Sequence, residues 1–363
     1  MMARWKLFLL CLFAIGLPSQ AMAIMIETDE MRLGINGYLN VVYEYMGKMA
    51  AVTEDGTGIE TLSDSSTFEN DTHLIFNAVK DRLRTNLNIE FHNGYFSEGK
   101  TVGGVDENIT RGEFLLLEVF GEYSGGPYLQ VRAGQFLSPF GIYNHIRYVT
   151  PLFASVELPM MYHPPENYRG EDLVPDPANL MVSGGRAGDA MNVRYAIYLG
   201  NGGNLTAHGT DKNKDKGVGG RVHLETAHLK FGGSYYNVAD DPVEGRESLI
   251  GLDLEATLGD FNIQGEYAID RAENEADRFG YYVRMTIDAG RYAPFAAYDY
   301  LKDQGDILFD RGMHRYSAGL GYTVNNHITL KGEYHYHLFG NDSGLAGAPE
   351  DIQMFMAAAI FIF

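Results

Sequence analysis

Polar and apolar residues alternate with a period of two along much of this chain, which restricts it to strands with one wet and one apolar face. Over residues 82–91 the odd positions are apolar or Thr and the even ones polar or charged. Over residues 327–338, Ile328, Leu330, Gly332, Tyr334, Tyr336 and Leu338 share one face, and His327, Thr329, Lys331, Glu333, His335 and His337 the other. Residues 261–270 set Phe261, Ile263, Tyr267 and Ile269 against Asn262, Gln264, Glu266 and Asp270, and residues 192–199, 219–225 and 279–288 continue the series. After residue 23 no segment sustains the three-and-four spacing of an amphipathic helix or an apolar run of membrane-helix length.

The alternation predicts sixteen strands, at 31–45, 71–79, 82–92, 112–123, 127–136, 180–187, 190–199, 217–226, 228–237, 247–258, 261–270, 278–288, 291–301, 312–323, 327–338 and 352–363. Very short connections, such as Lys80-Asp81, Gly188-Asp189, Ala227 and Gly259-Asp260, alternate strictly with longer polar ones. An even strand number with tight turns on one side and long loops on the other predicts an all-β fold, a 16-stranded antiparallel transmembrane β-barrel with short periplasmic turns and long extracellular loops. A soluble sandwich has no reason to segregate loop lengths by side. Phe355, Phe361 and the terminal Phe363 share one face of the last strand, similar to the assembly signal of outer-membrane barrels.

The start of the chain fits export. Arg4 and Lys6 precede an apolar run over residues 7–17, and Ala21-Met22-Ala23 offers a cleavage site, so residues 1–23 are expected to be a signal peptide and 24–363 the barrel domain. Cleavage removes the single Cys, Cys11, and the single Trp, Trp5, and moves the net charge from −20 to −22. A chain this acidic is not a nucleic-acid binder, and one Cys cannot build a disulfide, a structural zinc site or an iron–sulfur cluster. No cofactor is expected. The 24 Tyr and 20 Phe suit two aromatic girdles at the membrane interfaces.

About sixteen strands leave a water-filled lumen. By alternation the inward residues include Arg82, Arg84, Arg132, Arg194, Arg221, Lys230, Arg284, Arg315 and Lys331, facing Glu90, Glu118, Glu122, Glu225, Asp253, Glu255, Glu266, Asp270, Asp299 and Glu333. Charges of both signs require a hydrated interior or paired networks. His335 and His337 are either polar lumen lining or, with His327 or Glu333, a metal pair lacking a fixed fourth ligand.

The longest connection, residues 137–179, is the third long loop. It begins Ala133-Gly134-Gln135-Phe136-Leu137-Ser138-Pro139-Phe140-Gly141, a stretch that resembles the start of the corresponding loop in sixteen-stranded bacterial outer-membrane porins, nearest the phosphate-selective and related substrate-selective ones. The resemblance implies a loop folded into the lumen, a homotrimer, and a channel for passive diffusion of small hydrophilic solutes, in contact with outer-membrane lipid and lipopolysaccharide. It places Arg147, His163 and Arg169 opposite Glu157, Glu171 and Asp172 at the constriction, where they would set a transverse field. The loop holds two Arg or Lys against five acidic residues, unlike the dense basic cluster of phosphate-selective members. Acidic positions at Glu54, Asp55, Glu60, Asp64, Glu69 and Asp71 in the first loop, and Asp240, Asp241 and Glu244 in the fifth, lean the pore toward cations, bridge divalent ions to lipopolysaccharide, or merely keep the loops soluble. The alternative to a channel is a sheath or receptor barrel whose lumen or loops engage a partner protein. An outer-wall hydrolase site is not expected, because wall positions are mostly apolar.

Overall fold

The computed structural model describes residues 24–27, 31–52, 59–94, 111–164, 172–175, 177–202, 216–241, 245–273, 276–304, 309–310, 312–340 and 351–363. The expected leader at 1–23 lies outside the described residues, as do Arg169, Glu171, Glu54, Asp55 and Glu244. The strands are β1 (Ile24–Glu27), β2 (Arg32–Met46), β3 (Met49–Val52), β4 (Ile59–Leu62), β5 (Ser65–Lys80), β6 (Leu83–Gly94), β7 (Arg111–Gly126), β8 (Leu129–Phe136), β9 (Ala178–Arg186), β10 (Asn192–Gly200), β11 (Gly217–Glu225), β12 (Leu229–Asp241), β13 (Gly245–Leu258), β14 (Phe261–Ala272), β15 (Arg278–Ile287), β16 (Tyr292–Asp303), β17 (Met313–Asn325), β18 (Ile328–Phe339) and β19 (Asp351–Ile362). Among the described residues there is no α-helix, only short 3-10 turns at Asn144–Ile146 and Thr150–Leu152.

Sixteen of these strands, β2 and β5 to β19, form one closed antiparallel barrel in which neighbours in sequence are neighbours in space. The last strand closes on the first, with Met354 opposite Met46 and Ile362 opposite Tyr38. Closure leaves no open sheet edge, so the spanning backbone satisfies its own hydrogen bonds. Phe363 exchanges two backbone bonds with Gly37, of 2.9 and 3.0 Å, just beyond the end of β19. β1 then takes the remaining edge of β2, Ile24 opposite Ile35 through Glu27 opposite Arg32. This extra strand, and the β3–β4 hairpin inside the first long connection, carry too few residues for an alternation signal.

Three expectations about the connections need correction. Barrel strands at the loop end run further than the alternation indicates, so Glu69 belongs to β5 and Asp240 and Asp241 to β12; Asp71, expected both at the start of a strand and among the loop acids, lies inside β5, and Glu60 stays in the first connection, in β4. Only three residues separate Asp241 from Gly245, and five separate Arg186 from Asn192, so the alternation of short and long connections is not strict. The third loop also ends two residues early, because Ala178 and Asn179 already belong to β9. Polar residues at strand ends are as compatible with a wet wall as with a loop, which hides such boundaries.

The two faces separate cleanly. Along β13, Ile250, Leu252 and Leu254 point outward and are exposed, whereas Leu249 and Asp253 between them are buried inside. An outward aromatic chain near the loop end links Tyr267, Phe279, Tyr300, Tyr281, Tyr298 and Tyr316, with ring centroids 5.2–6.4 Å apart. At the turn end Tyr292 stacks on Tyr322, and Tyr123, Tyr128 and Phe261 are exposed. Two aromatic bands flanking an apolar one fit a wall facing lipid.

Candidate functional site: the inner loop and the wall that holds it

Residues 137–164 leave the end of β8 and turn inward. The bend is prepared by glycine at two places. Gly134 sits at a β-bulge with φ of 132°, and a Cβ there would run into the Val119 carbonyl of β7. Gly141, with φ of 58°, passes so close to the Glu266 carboxylate and the Tyr162 hydroxyl that a side chain would overlap both. Between them Phe136 and Phe140 are fully buried, and Phe140 lies over Gly251. Asn144 donates to the Ser138 carbonyl at 2.8 Å, and Leu173 N–H donates to the Met161 carbonyl at 2.9 Å, tying the loop to itself.

The loop then passes along the inner wall from β12 round to β2. Tyr162 and Tyr282 each donate to Glu266 of β14 at 2.6 Å. Met160 N–H donates to Asp299 of β16 at 3.2 Å, and Arg315 of β17 donates to the Leu158 carbonyl at 2.6 Å while pairing with Asp299 at 3.1 Å. Val156 and Glu157 both donate their N–H groups to the Glu333 carboxylate of β18, at 2.8 and 2.7 Å. Lys331 donates to the Ser155 carbonyl at 3.0 Å, Arg284 to the Glu157 carbonyl at 3.4 Å, and Tyr38 of β2 to the Tyr148 carbonyl. A non-regular backbone at this depth survives only if its polar groups are bonded, and the wall's charges do that.

These contacts change the role of several residues expected simply to line the lumen. Arg284, Arg315, Lys331, Glu333 and His335 are buried and hold the loop or one another, His335 bridging Ser317 at 2.7 Å and Glu333 at 2.9 Å. That arrangement occupies both ring nitrogens of His335 and argues against the His335–His337 metal reading. Arg132 pairs with Glu122 at 2.6 Å and lies over the Phe120 ring, Arg221 makes a bidentate pair with Asp253 at 2.7 and 2.9 Å, and Arg194 reaches Glu225 at 3.5 Å. Arg84 lies opposite Glu122 in the β6–β7 register. Arg82 falls in the two-residue turn before β6, exposed at the rim instead of in the wall.

Among the described residues, the loop's own charges pair locally. Arg147 bonds Asp172 at 3.0 Å, and His163 pairs with Glu157. Burial works against the Glu157 carboxylate, but His163, Arg315 and His335 outweigh it and hold its pKa down to about 2. The same carboxylate raises His163 to about 9, so the pair is ionic near neutrality. Of the apolar loop stretches, Phe153, Met160 and Met161 join the buried cluster, whereas Leu152 is 65% exposed. Sequence reasoning did not foresee that wall charges would bond loop backbone, because alternation shows which way a side chain points but not what meets it.

A closed sixteen-stranded barrel with a lipid-facing apolar band and a bonded inner loop is a channel-forming type of outer-membrane protein. The Gram-negative porin profile matches residues 99–342, and the chain belongs to that family. No curated protein matches it by sequence. Its fold is similar to an anion-selective porin from Comamonas acidovorans (TM-score 0.61, 14% identity, covering 92% of this chain and 100% of that one). It is also similar to Salmonella typhi OmpF in complex with daunomycin (TM-score 0.61, 12% identity, 94% and 100% covered). A third similar structure is OmpT, an outer membrane protein of Vibrio cholerae (TM-score 0.55, 13% identity, 94% and 100% covered). The chain is therefore an outer-membrane porin, and family and fold are those of a channel rather than an enzyme.

Proposed function

We propose that this porin passes small hydrophilic solutes and ions by passive diffusion, with weak selectivity leaning to cations, through a lumen narrowed by the loop at 137–177. The observation that carries this reading is the bonding of loop backbone between Ser155 and Met160 to inward side chains of β15 to β18, which supports a fixed obstruction. The cation lean rests on the acidic excess of the chain and on the ion pairing of Arg147 and His163 within the loop. The motif at residues 133–141 supports kinship with substrate-selective porins, while the sparse basic residues of the loop argue against phosphate as the solute. We propose Arg147, Glu157, His163 and Asp172 as residues at the narrowing, together with Arg169 and Glu171.

By the same kinship, residues 1–23 are a cleaved leader, the working unit is a homotrimer, and the rim contacts lipopolysaccharide. N-terminal sequencing of the exported protein and crosslinking in membranes test the first two. Reversal potentials in a KCl gradient across a planar bilayer test the selectivity: potassium preference is expected, and a clear chloride preference would overturn it. A silent barrel would favour the sheath reading instead.

A further inference from the structure

We propose that the inner wall of β5 and β6 holds a divalent transition-metal site of zinc type, built from Asp71, His73, Glu90 and His92. The register places Asp71 opposite His92 and His73 opposite Glu90, so two residues two apart on each of two antiparallel strands form a square of side chains on the lumen face. The donor atoms of Asp71, Glu90 and His92 all lie within 4.8 Å of one another. His92 Nδ1 contacts Asp71 and stands 3.9 Å from Glu90, and His73 Nε2 is also 3.9 Å from Glu90. Ligands at about 2.0–2.2 Å around tetrahedral zinc are themselves about 3.3–3.6 Å apart, so Asp71, Glu90 and His92 need only small side-chain shifts, and His73 must swing further to complete the set.

A second observation points the same way. His73 is 3% exposed, and its Nδ1, together with the side-chain oxygens of the neighbouring Asn40 and Asn88, is shielded from water without a hydrogen-bond partner among the described residues. Ligation through Nε2 leaves the buried Nδ1 as the N–H of the neutral imidazole, the form that a metal requires. The Tyr38 ring stacks on His73 at 4.4 Å and 16°, which fixes the imidazole plane and keeps Nε2 toward Glu90. Two imidazoles and two carboxylates suit zinc, cobalt or copper; calcium prefers six to eight oxygens. Asp71, Glu90 and His92 remain part-exposed to the lumen, so an ion can enter.

The test is isothermal titration of zinc into the folded, tag-free barrel in detergent, with cobalt added in parallel to read the visible bands of tetrahedral coordination. One zinc per chain is expected. His92→Gln and Glu90→Gln should each weaken it by about tenfold or more, while His335→Gln, on β18 three strands away from β5, should leave it unchanged. Retained heat-modifiable migration shows that each variant is folded. No binding to the native barrel, binding unaffected by either β6 variant, or binding removed by His335→Gln would each overturn the proposal. The readout is independent of conduction, so its failure is separate from any failure of the channel reading.

Discussion

The same three-residue pattern occurs on two walls of the lumen with opposite outcomes. Glu333-Tyr334-His335 on β18 and Glu90-Phe91-His92 on β6 both turn their charged residues inward and their aromatic ring to the lipid side. Against the loop, the side chains of Glu333 and His335 are 0% and 2% exposed, and Glu333 accepts two loop N–H groups. Four strands further round the wall, Glu90 and His92 are 13% and 23% exposed and face Asp71 and His73. Alternation sets the direction of a side chain, but the loop decides whether it becomes a structural anchor or stays available to the lumen.

The largest expected effect follows from breaking an anchor with a buried partner. Arg315→Leu strips Asp299 of its ion partner and the Leu158 carbonyl of its donor, and should cost about 3–5 kcal/mol of stability in urea unfolding of the membrane-inserted barrel. Glu333→Gln replaces one acceptor oxygen by an NH2 group that faces one of the two loop N–H donors, with an expected cost of about 1–3 kcal/mol, whereas Glu90→Gln in metal-free protein should cost under about 1 kcal/mol. Equal losses for these two variants would erase the contrast between the walls. Gly141→Ala forces a side chain into the left-handed region against Glu266 and should cost about 1–3 kcal/mol by the same assay.

The smallest effect concerns pH. The raised pKa of His163 means its pairing with Glu157 is complete below its ordinary value of 6.5 and is lost as pH rises through about 9. The lowered pKa of Glu157 means its share is complete above 4.5 and is lost as pH falls through about 2. Conductance of the native channel and of His163→Gln should therefore differ near pH 6 and converge above about pH 9. A difference that persists at high pH would remove His163 from the narrowing.

The sixteen barrel strands, their order and their wet face are legible in the sequence because period-two patterning and turn residues act locally. The inner loop's root is also legible, in Gly134, Phe136 and Gly141, because only glycine tolerates those backbone angles beside β7 and β14. What the loop bonds to is not, since Glu333 and Val156 are 177 residues apart and no local signal links them. For a related reason Asp71 reads ambiguously, as the first residue of a strand and as a loop acid: flanked by Asn70 and Thr72, it extends a polar run, and only the β5–β6 register shows it beside His92.

The central claim is that wall charges hold the loop across an open, conducting lumen. Single-channel recording of the native chain beside the Glu333→Gln, Arg315→Gln double variant tests it most directly. Stable ion-conducting steps in the native protein, and larger, noisier steps once the anchors are removed, are the predicted result; a silent native barrel, or steps of unchanged size in the variant, would contradict it.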